Sequence, residues 1–168
     1  MIFSLVMSLH DWPVVGERRF IGLDNYRVML TQDPKFWQSL GITVKFAAIF
    51  VPLNILLSFL LAVLLNVKVR GTALFRTAFY LPSIISGVAL VMIWKWIYSK
   101  DYGLLNYGLS VLGVDGPNWL GDPNWSILAI IIASLWGMGG TMLILLAGLQ
   151  SIPKELYEAA RVSGVPAW

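Results

Sequence analysis

Cysteine is absent from the 168 residues, which excludes a disulfide framework, a thiol nucleophile and a thiolate metal site. Histidine occurs once, at His10 beside Asp11, and no second metal-ligating side chain stands at helical spacing from it. It reads as a solvated or interfacial group, and no metal site is assigned. Charge is scarce too: charged residues make up 12% of the chain, against roughly a quarter in an ordinary soluble domain. The net charge of +3 comes from scattered lysines and arginines instead of a patch, so no nucleic-acid partner is inferred. The phosphate loop G-x-x-x-x-G-K-S/T is missing, and ATP is therefore not bound here in that way. No nucleophile, base and orienting group can be assembled, so no catalytic residue is assigned and the chain does not read as an enzyme.

What is present is apolar. Hydrophobic residues account for 58% of the sequence and the mean hydropathy is +0.74, values that place the chain among all-α integral membrane proteins. Leu40–Val67 carries one charge, Lys45; Phe79–Tyr98 carries only Lys95; Ser126–Leu149 carries none. Each run matches or exceeds the roughly 20 residues that cross about 30 Å of hydrocarbon as a helix. Because lipid offers no partner for backbone groups and the runs lack the alternation of barrel strands, all are expected to be spanning helices. Met1–Leu9 is apolar but too short to cross, and it lacks the basic start and cleavage site of a secretory signal. It is expected to be the end of a further span.

Basic residues outside the spans divide evenly. Lys68, Arg70, Arg76, Lys154 and Arg161 fall on one side, and Arg18, Arg19, Arg27, Lys35 and Lys100 on the other. The first set is packed into shorter segments, which makes that side the expected cytoplasmic face. Phe36, Trp37, Trp94, Trp96, Tyr98, Trp119 and Trp125 gather toward the opposite face, as an interfacial belt or as packing between helices. Lys45 and Lys95 lie within snorkelling reach of that interface, where they anchor the helices, or else they line a polar pathway. Ala133, Gly137 and Thr141 form a small-residue stripe suited to close helix approach. Gly139 and Gly140 weaken the same helix, and Pro52 is expected to kink the first. Asn54 and Ser58, one turn apart, are the clearest polar pair within a span: hydrogen bonding to a neighbouring helix is the simpler reading, and a contact to a transported solute the other.

The chain ends in a polar segment, IPKELYEAARVSGVPAW, from Ile152. Residues 152–164 form an expected short helix: Pro153 suits a first turn, and Gly164 can take the left-handed conformation that stops a helix. Leu156, Ala159, Ala160 and Ser163 share one small, apolar face, while Glu155, Glu158 and Arg161 point elsewhere. Such a face can dock in a groove of a soluble partner. Glu155 and Glu158 belong to the helix's polar surface, not to an acid-base pair.

At these residues the chain resembles the permease subunits of bacterial ABC importers, in the carbohydrate-uptake family that includes maltose and glycerol-phosphate permeases. That family's cytoplasmic signature runs Glu-Ala-Ala, two variable residues, then Asp-Gly-Ala. Here it stands as Glu158, Ala159, Ala160, two residues, then Ser163, Gly164 and Val165, with the aspartate and the last alanine replaced. IGLDNYRVML from Ile21, RGTALFRTAFYLPSIISGVALVMIWKWIY from Arg70, NWLGDPNW from Asn118 and LAGLQSIPKELYEAA from Leu146 are also similar to the family. The resemblance implies a polytopic helix bundle of the type I importer permease kind, incomplete at both ends, lying as a multi-pass protein in the bacterial inner membrane. It implies a second permease subunit, cytoplasmic ATPases that bind the ATP, and an extracytoplasmic binding protein that delivers a sugar or related solute. It further implies that Glu158, Ala159, Ala160 and Gly164 contact the ATPase; Asn54 and Ser58 remain the candidates for solute contact. A membrane scaffold that recruits a cytoplasmic protein, or a gradient-driven transporter, are the other classes. The scarcity of carboxylates within the spans speaks against a proton relay.

Overall fold

The computed structural model describes residues 1–13, 15–67 and 71–164. Lys68, Arg70 and Val165, used above in the charge count and the signature, lie outside the described residues. Contacts divide the chain into two compact units, Met1–Ala47 and Ala48–Trp168.

The first unit begins with a short helix, α1 (Ile2–Met7), followed by an antiparallel pair, β1 (His10–Asp11) and β2 (Arg19–Phe20), with His10 opposite Phe20. Helix α2 (Asp24–Thr31) comes next. The IGLDNY segment explains itself here. Asn25 donates through Nδ2 to the carbonyls of Ser8 (2.9 Å) and His10 (3.1 Å), and the Tyr26 and Ser8 hydroxyls are 2.7 Å apart. Two adjacent polar side chains thus fasten α2 to the segment after α1 and satisfy backbone carbonyls there. His10 bonds through Nδ1 to the Val6 carbonyl at 2.8 Å and meets the Phe20 ring edge-on at 5.2 Å. Trp37 donates to the Leu30 carbonyl at 2.9 Å.

Helix α3 (Pro34–Asn66) is a single helix of 33 residues. At 1.5 Å per residue it is about 50 Å long, more than the hydrocarbon core requires. It continues through Pro52, although the missing N–H costs it one backbone bond. Much of its apolar surface points outward: Leu56 and Leu64 are 54% and 67% exposed. A helix apolar on nearly all sides is stable only with lipid or further helices around it.

The remaining apolar runs are built differently. The run Phe79–Tyr98, expected as one helix, is divided between α4 (Thr72–Ile84) and α5 (Gly87–Ile97), whose axes differ by 96°. The cause is local. Pro82 removes an N–H from the last turn of α4, and Ile85 and Ser86 adopt ψ values of 135° and 134°, which are extended and end the helix. The run Ser126–Leu149 is divided in the same manner between α7 (Pro123–Leu135) and α8 (Gly139–Gln150), with a milder bend of 49°. At this joint Gly137 and Met138 donate to the carbonyls of Ser134 and Leu135, three residues back, so one tightened turn separates the helices. By length and composition, α3 is one candidate crossing, and each bent pair is another if it counts as one span.

Between these pairs lies α6 (Leu104–Val111). Helix α7 starts where NWLGDPNW places its signals: the Asp122 carboxylate accepts from the Asn124 backbone N–H at 2.9 Å, and Pro123 occupies the first turn. Ala62 and Leu65 of α3 and Met142 and Leu146 of α8 form the buried core of the second unit. At the end of α3, Arg76 of α4 donates through Nη2 to the Leu65 carbonyl at 3.1 Å. A cation placed there satisfies an otherwise orphaned carbonyl and complements the helix dipole.

Candidate functional site

Helix α9 (Lys154–Val162) follows α8 after a turn and is the chain's polar end. The Leu156 N–H bonds to the Pro153 carbonyl, so the proline starts the helix, and the Ser163 N–H bonds back to Ala159 at 3.0 Å. Gly164 has φ of 71°, the left-handed conformation that a side chain disfavours and that closes a helix. Glu155, Leu156, Glu158, Ala159 and Gly164 are exposed. Ala160 lies within the helix, and its side chain is outside the described residues. Val162 is 90% exposed, an apolar side chain with nothing on it at a helix end. The segment is therefore a capped helix that presents small, apolar and acidic groups outward.

Asn54 and Ser58 go elsewhere. Asn54 donates to the Thr141 hydroxyl and Ser58 to the Met138 carbonyl, both at 3.3 Å, and Ser58 is fully buried. The pair joins α3 to the joint and first turn of α8, where the Met138 carbonyl accepts the Met142 N–H at 3.0 Å and takes the Ser58 hydroxyl as a second donor. Thr141, read as part of a stripe, is a hydrogen-bond acceptor. The stripe reading also needs correction at its centre: a Cβ on Gly137 would meet only the Ser134 carbonyl of its own segment. Close approach occurs at Gly139, where a Cβ would collide with the backbone at Phe79 and Tyr80 of α4. The Gly-Gly doublet was the available signal, but only the crossing point of α4 tells Gly139 from Gly140, whose Cβ position is open.

The aromatic residues pack on one another. Trp136, Trp94, Tyr98, Trp119 and Trp125 form a continuous series with successive ring centroids 5.7, 5.1, 5.9 and 5.4 Å apart. Such spacings are those of stabilising aromatic pairs. Tyr98, at the end of α5, is buried and donates its hydroxyl to the Ala129 carbonyl of α7 at 2.8 Å. Trp96 remains outward, 53% exposed, as an interfacial residue would be. Lys45 and Lys95 are both exposed. Among the described residues, no group of His, Asp or Glu side chains is arranged to hold a metal ion.

Residues 55–168 match the family described as the binding-protein-dependent transport system inner membrane component. The chain belongs to this family. As an inner membrane transport component it is similar to the probable ABC transporter permease protein YesP of Bacillus subtilis, with 41% identity over 163 residues, covering 96% of this chain and 52% of that protein. It is also similar to the trehalose/maltose transport system permease protein MalF of Thermococcus litoralis, with 40% identity over 161 residues, 94% of this chain and 54% of that protein. Among solved structures it resembles a bacterial ABC transporter involved in the import of the acidic polysaccharide alginate, with a TM-score of 0.82, 28% identity, and coverage of 97% of this chain and 55% of that one. The relatives are transport permeases, not enzymes. The chain spans little more than half the length of these relatives. The permease family fits the mostly helical fold, its one long apolar span and its two bent helix pairs.

Proposed function

We propose that this chain forms part of the translocation pathway of an ATP-driven importer for a sugar or related solute, and that α9 couples it to a cytoplasmic ATPase. The observation that carries the reading is α9 itself: an exposed, capped helix bearing Glu158, Ala159, Ala160 and Gly164, set directly after a bent apolar pair in a member of a binding-protein-dependent permease family. A partner that closes around ATP would move α9, and the packed contacts of α8 with α3 and α4 would carry that motion inward as rigid levers. In this reading Asn54 and Ser58 hold α3 against α8 and do not meet the solute. ATP is bound by the partner ATPase subunits. A second permease subunit completes the pathway, and an extracytoplasmic binding protein delivers the solute. The chain lies in the inner membrane with α3 and the two bent pairs each crossing once. The sugar class is supported by the name of the Thermococcus relative.

The test uses the permease with its ATPase partner. Glu158→Lys reverses the charge on the outward face, and Gly164→Pro forbids the positive φ that ends the helix. Both changes are expected to abolish co-purification of the ATPase and ATP-driven uptake while leaving membrane insertion intact. Uptake unchanged by both would sink the coupling role of α9.

A further inference from the structure

The segment that connects α5 to α7 lines an open cavity of about 680 Å³, with Trp96, Lys100, Asp101, Tyr102, Tyr107 and Asp115 among its lining residues. Its wall is held firmly. Asn106 of α6 donates to the carbonyls of Lys100 (3.1 Å) and Pro117 (3.3 Å) and accepts from the Trp119 indole at 2.7 Å, so one amide ties both ends of the loop together. Gly116 lies so close to Asn106 that a Cβ there would strike its side chain, and Gly103 is packed equally closely on the backbone of Ile97 and Ser99. The rim, by contrast, is unpartnered. Tyr102 and Tyr107 are 71% and 68% exposed. Their hydroxyls, the Asp101 and Asp115 carboxylates and the Lys100 ammonium take part in no hydrogen bond or ion pair among the described residues.

A rigid wall with free polar and aromatic groups around several hundred cubic ångströms is what a small polar ligand requires. A tyrosine ring offers an apolar face to the C–H surface of a pyranose and a hydroxyl to its edge. Carboxylates accept strong hydrogen bonds from sugar hydroxyls. The charge balance narrows the choice: two carboxylates, Asp101 and Asp115, and one ammonium, Lys100, line the cavity, so an anionic ligand meets net repulsion. We infer that this cavity is a contact site for a neutral oligosaccharide, an inference that rests on the reading of the chain as a sugar permease component. The site is built from α6 and its flanking loops and shares no residue with α9.

Saturation-transfer NMR on the full chain in lipid nanodiscs, with maltotriose as probe and a uronate trisaccharide as competitor, tests this. Saturation should reach the ring C–H protons of maltotriose, and the competitor should not displace it. Tyr102→Ala combined with Tyr107→Ala should weaken the apparent affinity roughly tenfold, the effect of losing about two aromatic contacts. Tyr102→Phe with Tyr107→Phe keeps the rings and should retain transfer, which separates loss of contact from loss of fold. No transfer to maltotriose, effective competition by the uronate, or undiminished transfer in the alanine pair would each overturn the inference. ATPase binding to α9 is read without sugar, so a failed sugar assay beside intact ATPase binding sinks this site alone, and the converse sinks the coupling role alone.

Discussion

A methyl group at Gly139 is the smallest change expected to disturb the packing of α4 on α8, because it would enter the backbone of Phe79 and Tyr80. Gly139→Ala is expected to cost about 1–3 kcal/mol, the range for overpacking, in unfolding measured in detergent. Gly140→Ala, with open space at its Cβ, should be neutral or slightly stabilising in the same measurement. Tyr98→Phe removes the buried bond to the Ala129 carbonyl and leaves that oxygen without the hydroxyl, at a cost of about 1 kcal/mol. Which of these residues could be read beforehand follows from reach. Asn54 and Ser58 were legible as a polar pair seeking partners, since an amide and a hydroxyl in an apolar helix must find some. That the partners are Thr141 and the Met138 carbonyl depends on the position of a segment 87 and 80 residues away. Asn25 and Asn106, each tying separate backbone segments together, carried no pattern that distinguishes them from loop asparagines.

At the level of elements, composition alone located the apolar runs and Gly164 located the end of α9, while the structure starts α7 at Pro123, three residues before the run read from Ser126. Asp122 followed by Pro123 marks the start of α7, and Asp122→Ala should cost about 1 kcal/mol, the usual loss for an N-cap. Gly164 marks the end of α9. Gly164→Ala places a Cβ at φ of 71° and should loosen the last turn, seen as faster hydrogen exchange at the Ser163 amide, which bonds to Ala159. The breaks inside two of the runs were less legible. Proline does not suffice to predict them, since α3 passes through Pro52 unbroken while α4 ends at Ile84, two residues after Pro82. The difference lies in the extended conformation of Ile85 and Ser86, which hydropathy does not register.

For the whole molecule, the absence of cysteine becomes an experimental advantage. Single cysteines at Ser110 and Ser163, both exposed, can be labelled against a silent background. If α3 and each bent pair cross once, a membrane-impermeant maleimide applied from outside should label Ser110→Cys and spare Ser163→Cys until the membrane is opened. Labelling of both from the same side would show that a bent pair re-enters instead of crossing. The sequence by itself determined the solvent in which this chain is stable, because apolar runs of this length with so few charges have no other way to satisfy their surfaces. It also determined the capped helix at the chain's end, since glycine, proline and the amphipathic spacing act within a few residues. Only the tertiary structure decided that Gly139 and not Gly137 receives the neighbouring backbone, that five aromatic side chains pack in series, and that α6 and its flanking loops line one cavity. Those features arise from contacts between segments far apart in the chain, and a pattern of hydrophobicity records how much surface must be covered without recording what covers it.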